Sequence, residues 1–368
     1  MNKRERFLAA LEHREPDRVP IGEMAVDIPI LEKITGMTFR GQVSLQAQIS
    51  ADRGAEIVKR DMEIICSRKY FDFICVDLSA PDGFEAKENP DGTRTDEWGR
   101  ILGYDEAGKA WSPLGSMSIF KTVEDVENFE FPDPHAPGRT FGIEYVMERV
   151  KGELGVTSFI RDPFCHVWEV LGPMTFVRWM YEEPRALDLM FDHMTRFNIE
   201  MIKRMAELGV DLIVSGGDYA EEKGPFVPLK FFREKIFPRL KEQVDAAHRY
   251  GVPFIKHSDG NVMPLLEDLS KIVDGVHSLD PSAGIDIGVV KERFGDKLIL
   301  IGNVSVDNLA KKSKDEIVEE TKECIRKAAP GGGYILSSSN SWYAGCKLEN
   351  CIAMVETGWK YGRYPIEL

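Results

Sequence analysis

The sequence predicts an α/β fold, a (β/α)8 TIM barrel formed by a single domain spanning residues 1–368. Short apolar runs alternate along the chain with amphipathic helical stretches, and eight such runs occur. Continuous apolar strands that alternate with helices indicate a parallel sheet covered on both faces. Eight strands is the number at which such a sheet closes into a barrel. Nearly every run also ends in a polar residue, as expected where barrel strands meet their active-site loops.

An N-terminal helix is predicted over residues 3–13, after which Pro16 and Pro20 interrupt the pattern. The following helices carry apolar residues at helical spacing, and the stretch 182–209 ends in glycine, as helices commonly do. The eight predicted strands are rich in branched residues and comprise residues 18–24, 71–79, 155–164, 210–219, 252–260, 275–281, 298–305 and 333–340.

The connection between the second and third predicted strands, residues 80–154, is too long for a simple helical crossover. It contains a turn signal at Asp91 and Gly92, an alternating run on either side, and a proline-rich return over residues 131–140. We therefore expect a small β-rich excursion inserted into the barrel.

Composition excludes several classes of partner. The formal net charge of −14 argues against nucleic acid and anionic membrane surfaces. No run of 18 apolar residues occurs, so no membrane-spanning helix is expected. The first 20 residues are too charged for a signal peptide, and none of the six cysteines forms a CxxC pair. We expect a cytoplasmic protein with free thiols.

Polar side chains at the ends of the predicted strands are the candidate site residues. The carboxyl ends of parallel strands meet at one rim, and crowding carboxylates there is costly unless a cation, a proton or hydrogen bonds compensate them. Helix caps offer an alternative explanation for any single acid. The residues in question are Glu23, Asp77, Arg161, Asp162, Asp218, Glu221, Glu222, His257, Asp259, Asp280, Asn303, Ser338, Ser339 and Asn340.

The most informative pair is His257 and Asp259 in the segment "VPFIKHSDGNVMPLLEDL", because side chains two residues apart on a strand point the same way. The two could share a metal ion or a proton bridging to substrate. A neutral histidine beside a helix cap is the alternative. A metal site needs further donors, which Asp218, Glu221 or Asn340 could supply.

Aromatic residues near the third predicted strand form a second candidate feature. Trp168 and its neighbours Phe176, Trp179, Met180 and Tyr181 could line a pocket for an aromatic ligand or could pack in the core. No GxGxxG or GxSxG motif occurs, and "PGGGY" precedes a strand, so it cannot form a phosphate loop at a helix start.

Several segments resemble uroporphyrinogen decarboxylase-like proteins, in order along nearly the whole chain. These segments are "RERFLAALEHREPDRVPI", "DEWGR", "KIFPRLKEQVDAAHRYG", "HSDGN", "IGNVSV" and "APGGGYILSSSNS". The resemblance implies a (β/α)8 barrel. It also implies one of two activities: decarboxylation of uroporphyrinogen, or transfer of a methyl group to or from a corrinoid protein by a zinc enzyme. Dimers are common in the family, so the resemblance implies a homodimer.

The decarboxylases carry an arginine-rich RQAGR-type segment after the first strand, whereas this chain has "IGEMAVDIPILEKITG". A substrate with many carboxylates needs paired cationic donors, so uroporphyrinogen is disfavoured. Asp77 nevertheless resembles the family's aspartate at the second strand, and Asn340 stands where decarboxylases have histidine. A barrel lyase or decarboxylase for a smaller acid, with Arg161 binding its carboxylate and Asp77 moving the proton, is one alternative. A non-catalytic binding subunit is another.

The methyltransferases that act on thiols resemble the chain at "HSDG" and "SSSN". His257 matches their zinc-ligand histidine, while Asp259 and Asn340 replace two cysteines. Oxygen ligands make a harder, more Lewis-acidic site than thiolates do. The resemblance therefore favours demethylation of a small methylated donor, such as a methoxylated aromatic, with a corrinoid protein as acceptor. His257 and Asp218, with or without zinc, would stabilise the leaving group.

These considerations give one set of expected site residues. Expected catalytic residues are His257, Asp218, Asp77 and Arg161. Expected zinc ligands are His257, Asp259, Asn340 and Glu221. Expected substrate-binding residues are Glu23, Asp162, Trp168, Asn303 and Ser339.

Overall fold

The computed structural model describes residues 1–44, 49–115, 117–150 and 152–368. Its centre is a curled sheet of seven parallel strands that are hydrogen-bonded in chain order. They are β1 (Phe73–Asp77), β2 (Gly155–Arg161), β3 (Leu212–Gly216), β4 (Phe254–Ser258), β5 (Gly275–Ser278), β6 (Ile299–Val304) and β7 (Tyr334–Ser338).

The eighth position of the barrel is taken by the predicted first strand, residues 18–24, which forms only isolated bridges rather than a regular strand. Its backbone nevertheless bonds to both edges of the sheet. Leu336 N on β7 donates to Pro20 O at 2.9 Å, and Asp72 N beside β1 donates to Ile21 O at 2.7 Å. The predicted (β/α)8 fold class is thus confirmed, while the prediction of a regular first strand is wrong.

A buried carboxylate explains why this segment stays extended without a full ladder. Asp72 is fully buried and accepts the backbone N–H of Ile21 at 2.8 Å. Arg6 and Arg18 pair with the same carboxylate at 2.7 and 2.8 Å. These side-chain bonds replace part of the hydrogen bonding that a regular strand would provide.

Helices cover the outside of the sheet. The α-helices are Lys3–Leu11, Ile28–Thr35, Arg53–Tyr70, Val123–Glu127, Phe141–Val150, Pro163–Leu171, Pro173–Glu182, Pro184–Leu208, Leu229–Phe231, Phe237–His248, Leu266–Leu269, Ile287–Phe294, Val306–Lys311, Lys314–Ala328 and Leu348–Tyr361. A π-helical turn spans Phe232–Ile236, and a 3-10 turn spans Pro281–Ala283. No helix in the described part of the chain is long and apolar enough to cross a membrane.

The excursion between β1 and β2 contains strands, as predicted. Lys87–Glu88, Arg94–Thr95, Ile101–Asp105 and Ala110–Pro113 pair antiparallel in sequence order. Val43–Ser44 adds to the last of them in parallel, so the sheet has five strands. The tip of the excursion's hairpin reaches back to the barrel, where Lys109 pairs with Glu32 at 2.8 Å.

The N-terminal helix closes the barrel at the end where the strands begin. Phe7 is fully buried and stacks on Phe73 of β1 with 4.9 Å between ring centroids. Branched residues from β3, β4 and β6 fill the interior beside it. Gly155 at the start of β2 admits this ring, because a Cβ there would lie 2.3 Å from Phe7. With this end packed, open space remains at the carboxyl ends of the strands.

Candidate active site

A cavity of about 210 Å³ lies at the carboxyl ends of the strands. The structure brings seven of the predicted site residues to its wall, although they are spread over more than 300 positions of the sequence. They are Glu23, Asp77, Arg161, Asp218, His257, Asp259 and Asn340.

Three of these side chains form a compact cluster of metal-ligand type. His257 Nε2 lies 3.9 Å from Asp218 Oδ1 and 3.9 Å from Asp259 Oδ1. One ligand atom from each residue lies within 4.8 Å of the others. His257 and Asp259 therefore do face one side, as the two-residue spacing predicted, and Asp218 joins them from the loop after β3.

The loops after β3 and β4 are joined by hydrogen bonds that hold the cluster. Asp259 N donates to Asp218 Oδ1 at 2.8 Å, and Tyr219 N donates to Ser258 Oγ at 2.9 Å. Gly260 has a φ of +77° and packs so closely that a Cβ would lie 2.5 Å from Ala220 O. Only glycine fits this crossing without strain.

Asp259 is held but not fully satisfied. Its Oδ2 accepts a hydrogen bond from Asn340 Nδ2, while its Oδ1 is buried without a hydrogen-bond partner. Burial, and then the neighbouring charge of Asp218, raises the pKa of Asp259. A buried carboxylate oxygen without a partner is costly, so this atom is poised to bind a cation or a proton.

His257 is neutral in this environment. Burial lowers the pKa of its imidazole below the usual value, against the opposing charge of Asp218. Its Nδ1 lies 2.7 Å from Nδ1 of His277, a buried residue on β5. Its Nε2 is therefore the nitrogen that faces the two carboxylates.

The donor set fits a divalent metal ion. One imidazole and two carboxylates resemble the three-ligand sites in which catalytic zinc keeps a further position open. Oxygen-rich donors also suit harder divalent ions. Asn340 was predicted to be a ligand, but its amide nitrogen bonds to Asp259 and its Oδ1 accepts from Ser341 Oγ at 3.0 Å. Its role in the structure is to orient Asp259.

The opposite wall of the cavity carries paired charges. Arg60 bonds to Asp77 Oδ1 and to Glu63 Oε2, both at 2.8 Å, and Lys59 lies 3.4 Å from Asp77. Burial alone would raise the pKa of Asp77, but the charges of Arg60 and Lys59 lower it below the usual range. Asp77 is thus a permanently ionised ion-pair partner, which does not suit it to carry a proton.

Arg161 is also committed to partners. It pairs with Glu169, and its guanidinium donates to Cys165 Sγ at 3.0 Å. Glu169 is shared with Arg100 at 3.1 Å, and Arg100 in turn bonds to Asp96 at 2.7 Å. The predicted role of Arg161 in binding a substrate carboxylate would therefore compete with this network.

Glu23 has a different environment from the other acids of the cavity. It is 3 % exposed, and it accepts hydrogen bonds from Ser338 N at 2.8 Å and Ser338 Oγ at 2.7 Å. Burial raises the pKa of Glu23 to about 8, because these hydrogen bonds only partly offset the lost hydration. At neutral pH, Glu23 is a protonated carboxylic acid facing the cavity.

Five predicted site residues do not line this cavity. Asp162 is fully buried outside it, where it caps the helix Pro163–Leu171 and accepts a hydrogen bond from Tyr219 Oη at 2.8 Å. Trp168 packs between Phe176 and Phe226, each with ring centroids 5.1 Å away. In the structure, Asp162 therefore has a helix-capping role and Trp168 has a packing role.

The remaining three residues have structural contacts of their own. Asn303 donates to Leu279 O at 2.8 Å, and Ser339 Oγ accepts from Val306 N at 3.2 Å. Glu221 is exposed on a short hairpin, Ala220–Glu221 with Gly224–Pro225, outside the metal-type cluster.

Other cavity residues were missed from the sequence. Lys59, Glu63, Cys66 and Ser67 lie on one face of the helix Arg53–Tyr70, and Cys75 lies on β1. The spacing of four between Lys59 and Glu63 would have indicated a shared helix face. It gave no indication that this face meets the mouth of the barrel.

The sequence pattern of the family described as Uroporphyrinogen decarboxylase (URO-D) matches residues 107–361, well over half of the chain. The chain belongs to this family. This match confirms the family that the resemblance in the sequence indicated. No curated protein matches the chain.

A solved structure shares the fold of this URO-D family member over nearly its whole length. A methyltransferase from Methanosarcina mazei is 19 % identical, with a TM-score of 0.73 over 98 % of this chain and 99 % of that one. A putative vitamin-B12 independent methionine synthase from Listeria monocytogenes is 11 % identical, covering 94 % and 98 % of the chains with a TM-score of 0.46. The first likeness supports the barrel fold, and the second is too distant to add evidence.

Proposed function

We propose that the protein is a metal-dependent methyltransferase that moves a methyl group from a small methylated donor, such as a methoxylated aromatic, to a corrinoid protein. The observation that carries the proposal is the cluster of Asp218, His257 and Asp259, with its unpartnered buried oxygen. Family membership and the name of the Methanosarcina mazei neighbour agree with a methyltransferase.

His257 Nε2 and one oxygen each of Asp218 and Asp259 would hold the ion, which we take to be zinc. A bound zinc ion supplies Lewis acidity that stabilises negative charge on a leaving oxygen. Asn340 keeps Asp259 oriented through its amide nitrogen. The apolar side chains Phe159 and Ile74 line the same cavity and would hold the apolar part of the donor.

Glu23 would supply the proton that the reaction consumes. When the carbon–oxygen bond of a methyl ether breaks and the methyl group passes to the reduced corrinoid, the oxygen retains the bonding pair and needs one proton. Glu23 carries a proton at neutral pH and lines the same cavity. General acids with a pKa close to the working pH are the most effective.

The pairing of the cations in the cavity argues against a decarboxylase whose substrate carries several carboxylates. Lys59 lies within 3.6 Å of Asp77 and Glu63, and Arg161 is paired with Glu169. Binding several substrate carboxylates here would require these pairs to break, since each anion needs its own donors.

The test is a demethylation assay with methoxylated aromatics, zinc and a separately purified, reduced corrinoid protein. We expect methyl transfer by the wild-type protein, its loss in His257→Ala, and full activity in Glu221→Gln, a matched control outside the cavity. Full turnover by His257→Ala would contradict the proposed site. A wild-type protein that releases carbon dioxide from a carboxylic acid instead would contradict the proposed reaction.

A further inference from the structure

We infer that Lys256 is a positioning residue that holds Asp218 beside His257. It acts through the two residues that flank Asp218, Gly217 and Tyr219. The inference deepens the proposed function, because Asp218 belongs to the metal-type cluster. Lys256 precedes His257 on β4, and successive side chains of a strand point to opposite faces of the sheet. Since His257 faces the cavity, Lys256 points away from it.

Burial does not fix the side chain of Asp218. This side chain is 42 % exposed, and its Oδ1 accepts a hydrogen bond from Asp259 N at 2.8 Å. Asp218 lies on the loop after β3, directly after Gly217, which has a φ of +142°. The position of its carboxylate therefore depends on how the backbone of this loop is held.

Lys256 contacts both neighbours of Asp218. Its Nζ donates to Gly217 O at 2.7 Å and lies 3.9 Å from the centre of the Tyr219 ring. An amino group over the face of an aromatic ring is attracted to it. Lys256 is 1 % exposed, and hydrogen bonds are stronger in the interior of a protein than in water. One buried side chain thus holds the loop on either side of Asp218.

Lys256 is itself held by Asp162. The Oδ2 of Asp162 lies 3.3 Å from Lys256 Nζ and accepts hydrogen bonds from Tyr219 Oη at 2.8 Å and Ser215 Oγ at 3.0 Å. The Oδ1 of Asp162 accepts from Phe164 N at 2.9 Å at the start of the following helix. Lys256 therefore joins the ends of β2, β3 and β4 at one point outside the cavity.

The loop is packed on its other side as well. A Cβ at Gly217 would lie 2.3 Å from Cys165 Cβ, so the backbone passes directly against this side chain. Tyr219 N donates to Ser258 Oγ at 2.9 Å. Removing the Lys256 amino group would release Gly217 O and leave the bond between Tyr219 and Ser258 in place. We therefore expect Asp218 to be displaced while the rest of the loop stays attached.

The first test needs no metal. Because the amide of Asp259 donates to Asp218 Oδ1, its rate of hydrogen exchange, resolved by NMR, reports whether Asp218 stays in place. We expect this amide to exchange roughly 10-fold faster in Lys256→Met than in wild type. Arg6→Met removes a buried cation at the other end of the barrel and should leave this rate unchanged. Equal exchange in Lys256→Met and wild type, or equal acceleration in both variants, would overturn the inference.

A second variant covers a failure of Lys256→Met to fold, since that change leaves the carboxylate of Asp162 buried without its cation. Combining Lys256→Met with Asp162→Asn removes both charges, and the asparagine keeps an oxygen for the helix cap. The Asp259 amide should again exchange faster than in wild type, because Gly217 O still lacks its donor. Exchange at the wild-type rate in this folded double variant would contradict the role of Lys256.

The last test measures zinc affinity by competition with a chelator. We expect Lys256→Met to weaken zinc binding by roughly 10- to 100-fold, as changes behind metal ligands do. Because Lys256 acts through Asp218, adding Lys256→Met to Asp218→Ala should cause no further loss. Full additivity of the two losses would contradict the inference. If the wild-type protein binds no zinc, the proposed function fails, while the exchange rates still decide the role of Lys256.

Discussion

The two walls of the cavity treat their carboxylates in opposite ways. On one wall, Asp77 and Glu63 are each bonded to the buried Arg60 at 2.8 Å. On the other wall, Asp218 and Asp259 face a neutral imidazole at 3.9 Å, and one oxygen of Asp259 has no partner. Carboxylates thus have different roles on the two walls, because only the second wall has a buried carboxylate oxygen without a hydrogen-bond partner, Oδ1 of Asp259.

This contrast distinguishes carboxylates that stabilise the fold from carboxylates that can bind a ligand. Paired buried charges fix the position of a chain segment, and removing one partner leaves the other stranded. Unpaired buried acceptors cost stability and are kept where they bind something. We therefore propose that a metal ion would bind to His257 on β4 and to the loops after β3 and β4, whereas the wall formed by the helix Arg53–Tyr70 has a scaffolding role.

The largest effect is expected from the unpaired wall. Asp259→Ala removes the buried unpartnered oxygen and the acceptor of Asn340. We expect zinc affinity to fall by more than about 100-fold, since loss of a ligand exceeds the 10- to 100-fold effect of outer partners. Isothermal titration with zinc gives the affinity, and Glu222→Ala, a carboxylate outside the cluster, is the control. An unchanged zinc affinity in Asp259→Ala would contradict the claim that only the wall with Asp259 binds the metal.

The paired charges behind Arg161 should instead affect stability. Arg100→Met leaves the buried carboxylates of Asp96 and Glu169 without their shared cation. We expect a loss of about 3–5 kcal/mol in the free energy of unfolding, measured by urea denaturation. The control Arg185→Met removes an exposed pair with Glu127 and should cost at most about 1 kcal/mol. Similar losses in both variants would contradict a structural role for the buried network.

Glu23 should give the protein a pH-dependent stability. Its folded pKa of about 8 lies above the ordinary 4.5, so its contribution is fully present below about pH 4.5 and is lost as the pH rises to 8. This difference in pKa corresponds to about 5 kcal/mol in the free energy of unfolding. Glu23→Gln does not titrate, so the stability of wild type relative to this variant should fall over that interval. A constant difference between pH 4.5 and 8 would show that Glu23 is ionised in the folded protein.

A smaller effect is expected from Trp168, which packs against Phe176 and Phe226 away from the cavity. Trp168→Leu should lower the free energy of unfolding by about 1–3 kcal/mol, as core changes of this kind do. The Michaelis constant for a methylated donor should stay unchanged in steady-state assays. A raised Michaelis constant with unchanged stability would show that Trp168 binds the substrate, as the sequence predicted.

The rim of polar residues could be predicted from the sequence because parallel strands end at one edge. His257 lies near the end of β4, and Asp218 and Asp259 follow the neighbouring strands β3 and β4, so their convergence needs only the barrel topology. Alternation along a strand explains one disagreement. Arg161 on β2 points into the cavity, whereas Asp162 lies one position further, outside the cavity, and caps a helix.

Other features depend on packing that local patterns do not encode. Lys59 and Glu63 reach the cavity from a helix, whereas the barrel topology predicts site residues only at the strand ends. The segment 18–24 has the composition of a strand, but Asp72 and two arginines hold it by side-chain bonds. The ion pair of Asp77 joins β1 to the helix Arg53–Tyr70, and that of Arg161 joins β2 to the helix Pro163–Leu171. Both depend on how these elements pack, so the pairing of the two charges became visible only in the fold.

The most direct measurement is an anomalous difference map at the zinc absorption edge, from crystals of the wild-type protein soaked in zinc. We expect a peak bonded to His257 Nε2 and to one oxygen each of Asp218 and Asp259, at about 2.0–2.2 Å. The same map from His257→Ala should lack this peak. A wild-type map with no density between these three side chains, at zinc concentrations that saturate other sites, would contradict the metal centre.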